Sequence, residues 1–245
     1  FSDFKRIEFL KNQREGTFNY PTELMFNENE ITKAMIKELH DPTLGHLGLV
    51  GCNGRLIKRS IITDNNILFD EKLRLLEDKA FGWNVLSFSH NVLYIREQLY
   101  SYYVYPNINT AITESLNYGF TFDTVKLILS HINNCLKRRN LSKDEIEKYN
   151  QQALIFFIIH ILITISRPMF QGKINFSKGK KIRKDIIEDI LRDDNVSIAI
   201  KNYKPSINES WLIPKAIAWK SRLLLEFACN KRAKDTIVMR KLGVV

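Results

Sequence analysis

Leu49-Val-Gly-Cys-Asn-Gly-Arg-Leu-Ile-Lys-Arg-Ser-Ile-Ile62, then Asn65-Asn-Ile-Leu-Phe-Asp-Glu71, then Leu75-Leu-Glu-Asp-Lys-Ala-Phe81 is the stretch on which the fold turns. Leu56 to Ile62 has the composition of a buried strand, and Asp64-Asn65-Asn66 that of a turn. Glu77 to Ser89 is predicted to be a helix whose first turn carries the acidic pair Glu77 and Asp78, where the positive end of the macrodipole favours it. On a strand, Arg55 and Arg59 share one face and Lys58 takes the other. That face suits a phosphate or a salt bridge to the acidic helix equally well.

Working outward, residues 3–9 and 15–20 read as short strands, and Glu28 to Leu39 has helical spacing with Asn27 as its cap. Glycines 45, 48, 51 and 54 recur every three residues. This pattern suits a ligand-facing loop or a simple connector. Asn91 to Ile95 is a predicted strand, and so is Leu99 to Tyr105, which Pro106 ends. After Thr113 the pattern turns helical, with segments at 114–139, 143–166, 180–193, 195–202 and 208–230. Ser142 with Glu145 matches a capping box. Ala153 to Ser166 is apolar except for His160, but shorter than the roughly 20 residues that a spanning helix needs, so a buried core helix is expected.

The 245 residues carry a net charge of +10 that is unevenly spread. Residues 114–245 hold 24 Lys and Arg against 13 Asp and Glu, whereas residues 1–113 hold 13 against 14. Such a field attracts anions. No helix-turn-helix, zinc-finger or RNP pattern accompanies it, so nucleic acid is not the expected partner. Cys52, Cys135 and Cys229 are widely spaced, which indicates neither a zinc cluster nor a disulfide framework and fits a reducing cytoplasm. No secretory signal pattern is present. His46, His90 and His160 lack ligand spacing, and Asp193-Asp194 reads as a solvated pair at a helix end, so no metal ligand is assigned.

The order of these elements resembles the second half of the catalytic domain of family 2 glycosyltransferases. There a Lys/Arg-Leu-Tyr-Arg/Lys-Arg-Ser strand, an Asn-Asn-Ile-x-Phe turn and a Glu-Asp-x-x-Phe motif follow one another. The match runs from about Asp3 to Thr113 and includes Ile95-Arg-Glu-Gln-Leu-Tyr-Ser-Tyr-Tyr103 and Asn107-Ile-Asn-Thr110, similar to the family's strand and following loop. Arg55 stands where the family often has Lys, and Ile57 where it has Tyr. The resemblance implies an α/β fold in two parts, a partial GT-A type domain over 1–113 and a basic, mainly α-helical region over 114–245.

It also implies an inverting transfer of a sugar from a nucleotide-sugar donor to a bacterial surface glycan or lipid-linked acceptor. Asp78 is then the catalytic base and Glu77 its support, with Arg55, Lys58, Arg59, Tyr103, Asn107 and Asn109 as candidate substrate contacts. The family's Asp-x-Asp motif, which carries a divalent Mg or Mn and the donor diphosphate, belongs upstream of Asp3, and no Asp-x-Asp occurs in this chain. The metal is therefore expected on residues outside the chain, and the isolated chain is expected to be inactive. A cytoplasmic protein held peripherally at the inner face of the membrane is the expected location, with Lys137 to Arg139, Lys178 to Lys184 and Lys231 to Lys234 as lipid contacts. The rival reading is a non-catalytic helical module for binding or assembly, which contacts an anionic membrane surface or a partner.

Overall fold

The computed structural model describes residues 5–8, 23–40, 49–52, 54–73, 75–95, 101–104, 121–205 and 210–241. The chain divides into two compact units. One comprises residues 1–72, 76–108 and 131–141, and the other residues 73–75, 109–130 and 142–245.

In the first unit, β1 (Lys5–Glu8) pairs in parallel with β4 (Ser101–Val104), Ile7 opposite Tyr103. A parallel pair needs a long crossover, and the chain between the two supplies it. β2 (Glu23–Asn27) and β3 (Asn91–Ile95) pair antiparallel, with Met25 opposite Leu93. Asn27 then caps α1 (Glu28–His40): its side chain accepts from the Glu30 amide at 3.1 Å, and the Glu30 carboxylate accepts from the Asn27 amide at 2.9 Å. This reciprocal cap satisfies two orphan donors. Ile31, Met35 and Leu39, spaced by four, form the buried stripe of α1.

The strand expected at Leu56 to Ile62 does not form. Arg59–Asp64 is instead a six-residue helix, α2, and Leu56 stands fully exposed. Lys58 is extended at the helix entrance, and Asn66, at φ 48°, ends the turn in the left-handed region that Asn tolerates. Helical spacing turns Ile61 and Ile62 onto Ile67, Phe81 and Val85, a small core that also takes in Ile57 and Phe88. Phe69 stacks on Phe81 with ring centroids 4.3 Å apart.

α3 (Glu77–Phe88) buries Ala80, Phe81, Trp83, Val85 and Leu86. The last residues of α4 (Phe122–Arg138) hold its far end. Arg138 donates to Asn84 Oδ1 at 3.0 Å and Ser87 Oγ at 2.8 Å, and its guanidinium lies 4.6 Å from the centroid of the Phe88 ring. Arg139 donates to the carbonyls of Leu86 and Ser89. A cation beside the carbonyls of a helix end is favoured by the dipole. Two of the three residues expected to meet lipid at 137–139 are thus committed to packing.

The second unit is mainly helical. α5 (Lys143–Phe170) starts at the predicted capping box, where Glu145 accepts from the Ser142 amide at 2.9 Å. The helix reaches beyond the 14-residue apolar stretch to 28 residues. By length and composition it is sufficient to cross a membrane, and 72% of its apolar window is buried. It packs against α6 (Phe176–Arg192), α7 (Asp194–Asn202) and α9 (Arg222–Lys241). Gly179 lets α6 approach α5, since a Cβ there would stand 2.6 Å from Met169 Cγ.

Three further sequence expectations change in this unit. Asp193 is not a solvated residue: it caps α7 through the amides of Asn195 and Val196, and pairs with Lys126 at 2.9 Å. Arg183, expected on a basic surface, is 2% exposed and donates to Ser166 at 3.0 Å and to Asn230. The helix expected over 208–230 is two, α8 (Leu212–Ala218) and α9, broken at Trp219-Lys220-Ser221 with Lys220 at φ 49°.

Candidate functional site

The acidic pair sits where the sequence places it, in the first turn of α3. Leu76, at φ 68°, turns the chain into the helix without a side-chain cap. The Asp78 carboxylate supplies part of what is missing by accepting from the Lys79 amide at 2.7 Å. Across from it, the segment Leu49–Cys52 lies flat on α3. The Cys52 thiol donates to the Asp78 carbonyl at 3.0 Å, and a Cβ on Gly82 would be 1.8 Å from the Val50 carbonyl oxygen. Burial and the neighbouring Asp78 charge push the Cys52 thiol up from its ordinary range, which keeps it protonated and able to donate.

Arg55 and Glu38 complete this corner. Burial lowers Arg55 to about 10, against the favourable charges of Cys52, Glu38 and Asp78. Burial raises the Glu38 carboxyl to about 7, opposed by Lys79 and Arg55. A carboxyl poised near neutrality beside two cations is a feature of sites that handle protons. Sequence reasoning missed Glu38. The signal was its place seven residues after Ile31, on the side of α1 that Met35 and Leu39 share, where a core residue is expected.

The sign of this shift fixes a pH dependence. A folded-state carboxyl raised to about 7 contributes stability below the unfolded value near 4.5 and loses it as pH rises through 7. Glu38→Gln is therefore expected to raise the melting temperature at pH 8 and to change it little at pH 4, with an upper bound of about 3 kcal/mol. Thermal melts across that range check this. A variant less stable than wild type at pH 8 would show that ionised Glu38 is held by Arg55 and Lys79 rather than penalised by burial.

A cleft of about 1120 Å³ opens beside this corner, with Cys52, Arg55, Lys58, Asp64, Phe88 and His90 in its walls. The candidate residues are thus only partly brought together. Arg55 is drawn inward and Lys58 lines the cleft, while Arg59, at the start of α2, is exposed and is not one of the lining residues. The two-faced arrangement expected of a strand is lost with the strand. Glu77 and Asp78 are not in the cleft walls, and Asp78 joins them through its bond to Cys52. The Tyr103 backbone pairs with Ile7 in the parallel ladder. Asn107 and Asn109 lie outside the described residues.

Among the described residues no group of three or more His, Cys, Asp or Glu side chains is disposed to hold a metal ion. They do not form a site for the divalent metal that the resemblance implies. Comparison with protein-family models, with curated proteins and with solved structures gave no match to this chain.

Proposed function

We propose that the chain is the acceptor-side part of an inverting GT-A type glycosyltransferase and that Asp78 is its base. The supporting observation is the bond from the thiol of Cys52, a residue of the cleft wall, to the Asp78 carbonyl, with Arg55 and Lys58 lining the same cleft. In this reading a hydroxyl of the acceptor glycan gives its proton to the Asp78 carboxylate. The hydroxyl oxygen bonds to the anomeric carbon of the donor as the bond from that carbon to the phosphate breaks, and the nucleoside diphosphate leaves. Attack opposite the leaving group inverts the anomeric centre.

Arg55 and Lys58 bring positive charge to the side where the phosphates depart. A divalent metal, held by residues outside this chain, would supply further neutralisation of the leaving group.

Titrating the chain with acceptor-type oligosaccharides, followed by backbone amide shifts in NMR, tests the placement. Shifts centred on Cys52, Arg55, Lys58 and His90 are expected. Saturable shifts confined to the helical unit would count against the reading and favour a binding module.

A further inference from the structure

α9 has two unlike faces. Leu225, Ala228, Cys229 and Ala233 are buried. On the other side, at roughly 100° per residue, Leu223, Lys234, Phe227, Val238 and Lys231 fall within an arc of about 80°. Leu223 is 72% exposed, Phe227 59% and Val238 54%, and both lysines are exposed too. No acidic residue falls inside the arc. Trp219, 67% exposed, precedes Leu223 by four residues.

The surface continues beyond this helix. The Lys234 ammonium lies 4.9 Å from the Phe170 ring centroid at the end of α5, and that ring meets the half-exposed Phe176, at the start of α6, edge-on at 5.8 Å.

A single exposed leucine needs no explanation, but large apolar side chains in register with lysines do. The cores of protein interfaces are depleted in lysine, whereas here lysines stand within the apolar arc. Helices that lie on anionic lipid have this composition, since lysine stems run along the apolar boundary and their ammonium groups reach the phosphates. The charge is complementary, because residues 142–245 of this unit carry 20 basic against 11 acidic residues.

We propose that this face of the second unit docks on an anionic phospholipid surface, with Trp219, Leu223 and Phe227 in the headgroup boundary and Lys231 and Lys234 on lipid phosphates. The surface goes beyond the transferase reading and does not depend on it.

Co-sedimentation of the full chain with vesicles of phosphatidylcholine, alone or mixed with phosphatidylglycerol, tests the proposal at low and high salt. Binding to the mixed vesicles is expected to be on the order of tenfold tighter and to weaken with salt. Leu223→Ser with Phe227→Ser should lower it on the order of tenfold, and Lys231→Ser with Lys234→Ser should lower it similarly and flatten the salt dependence. All four side chains are exposed, so circular dichroism should show unchanged folding. Equal binding to both vesicle types, no binding to either, or unchanged binding by both variants would overturn the proposal. A concentration-dependent dimer that the Leu223 and Phe227 variant abolishes, without vesicle binding, would overturn it too and assign the face to a second copy of the chain.

Discussion

Asp78→Asn is expected, on the proposed transferase reading, to lower glycosyl transfer by the native protein by a factor on the order of 10²–10⁴, the usual contribution of a positioned base. The substitution suits the question because it spares the fold. An asparagine oxygen can still accept from the Lys79 amide, and the bond from Cys52 goes to the backbone carbonyl of residue 78. What disappears is the ability to take a proton. Turnover should fall while KM for the donor moves little, since a group that acts only in the transition state leaves ground-state binding alone. Glu77→Gln should cost less, because adjacent side chains on a helix diverge by about 100° and only one of them faces the acceptor. Initial rates of nucleotide release give the answer, and turnover of a folded Asp78→Asn protein within about threefold of wild type would remove Asp78 from the chemistry.

Gly82→Ala is expected to destabilise the first unit by about 3 kcal/mol or more. Two effects compete. An alanine in an open helix interior gains about 1 kcal/mol over glycine. Against that, the new Cβ would lie 1.8 Å from the Val50 carbonyl oxygen and 2.8 Å from its carbon, and both atoms are backbone. A flexible side chain would swing aside, but a carbonyl moves only with its segment, so overpacking wins. Leu49 and Val50 are themselves buried, which raises the cost of that movement. The same displacement pulls Cys52 from the Asp78 carbonyl, so activity should fall with stability. Denaturant titration followed by the buried Trp83 measures the loss. A variant as stable as wild type would mean that the Val50 segment does not rest on α3.

How far the sequence could be read depended on whether the deciding interaction was local. Asn27, and Ser142 with Glu145, announce their helices because a cap acts within one turn, and the structure has both caps. α3 and β3 were legible from signals within their own segments, the acidic first turn of α3 and the strand composition of β3. α2 was not, because a six-residue element is too short for periodicity to separate a helix from a strand, and Ile61 and Ile62 suit either until Ile67 and Phe81 choose the side they face. The break between α8 and α9 carries neither Gly nor Pro. It is held by backbone bonds from the amides of Lys220 and Ser221 to Ile217 and Ala216.

The candidate site divides along the same line. Glu77 and Asp78 were legible at the start of their helix, but the surroundings of Arg55 and Glu38 come from partners distant in sequence. Arg138, Arg139 and Arg183 look like surface cations in a one-dimensional reading. Only tertiary structure brings carbonyls and amides to them.

The central claim is that this chain completes an inverting glycosyl transfer, and the configuration of the product tests it most directly. Proton NMR of the glycan formed by the native protein from a nucleotide-sugar donor reports the anomeric coupling of the new linkage. The account predicts transfer in which the anomeric configuration of the donor is inverted. A product that retains the donor configuration, or no transfer from any nucleotide sugar by the folded native protein, would contradict it.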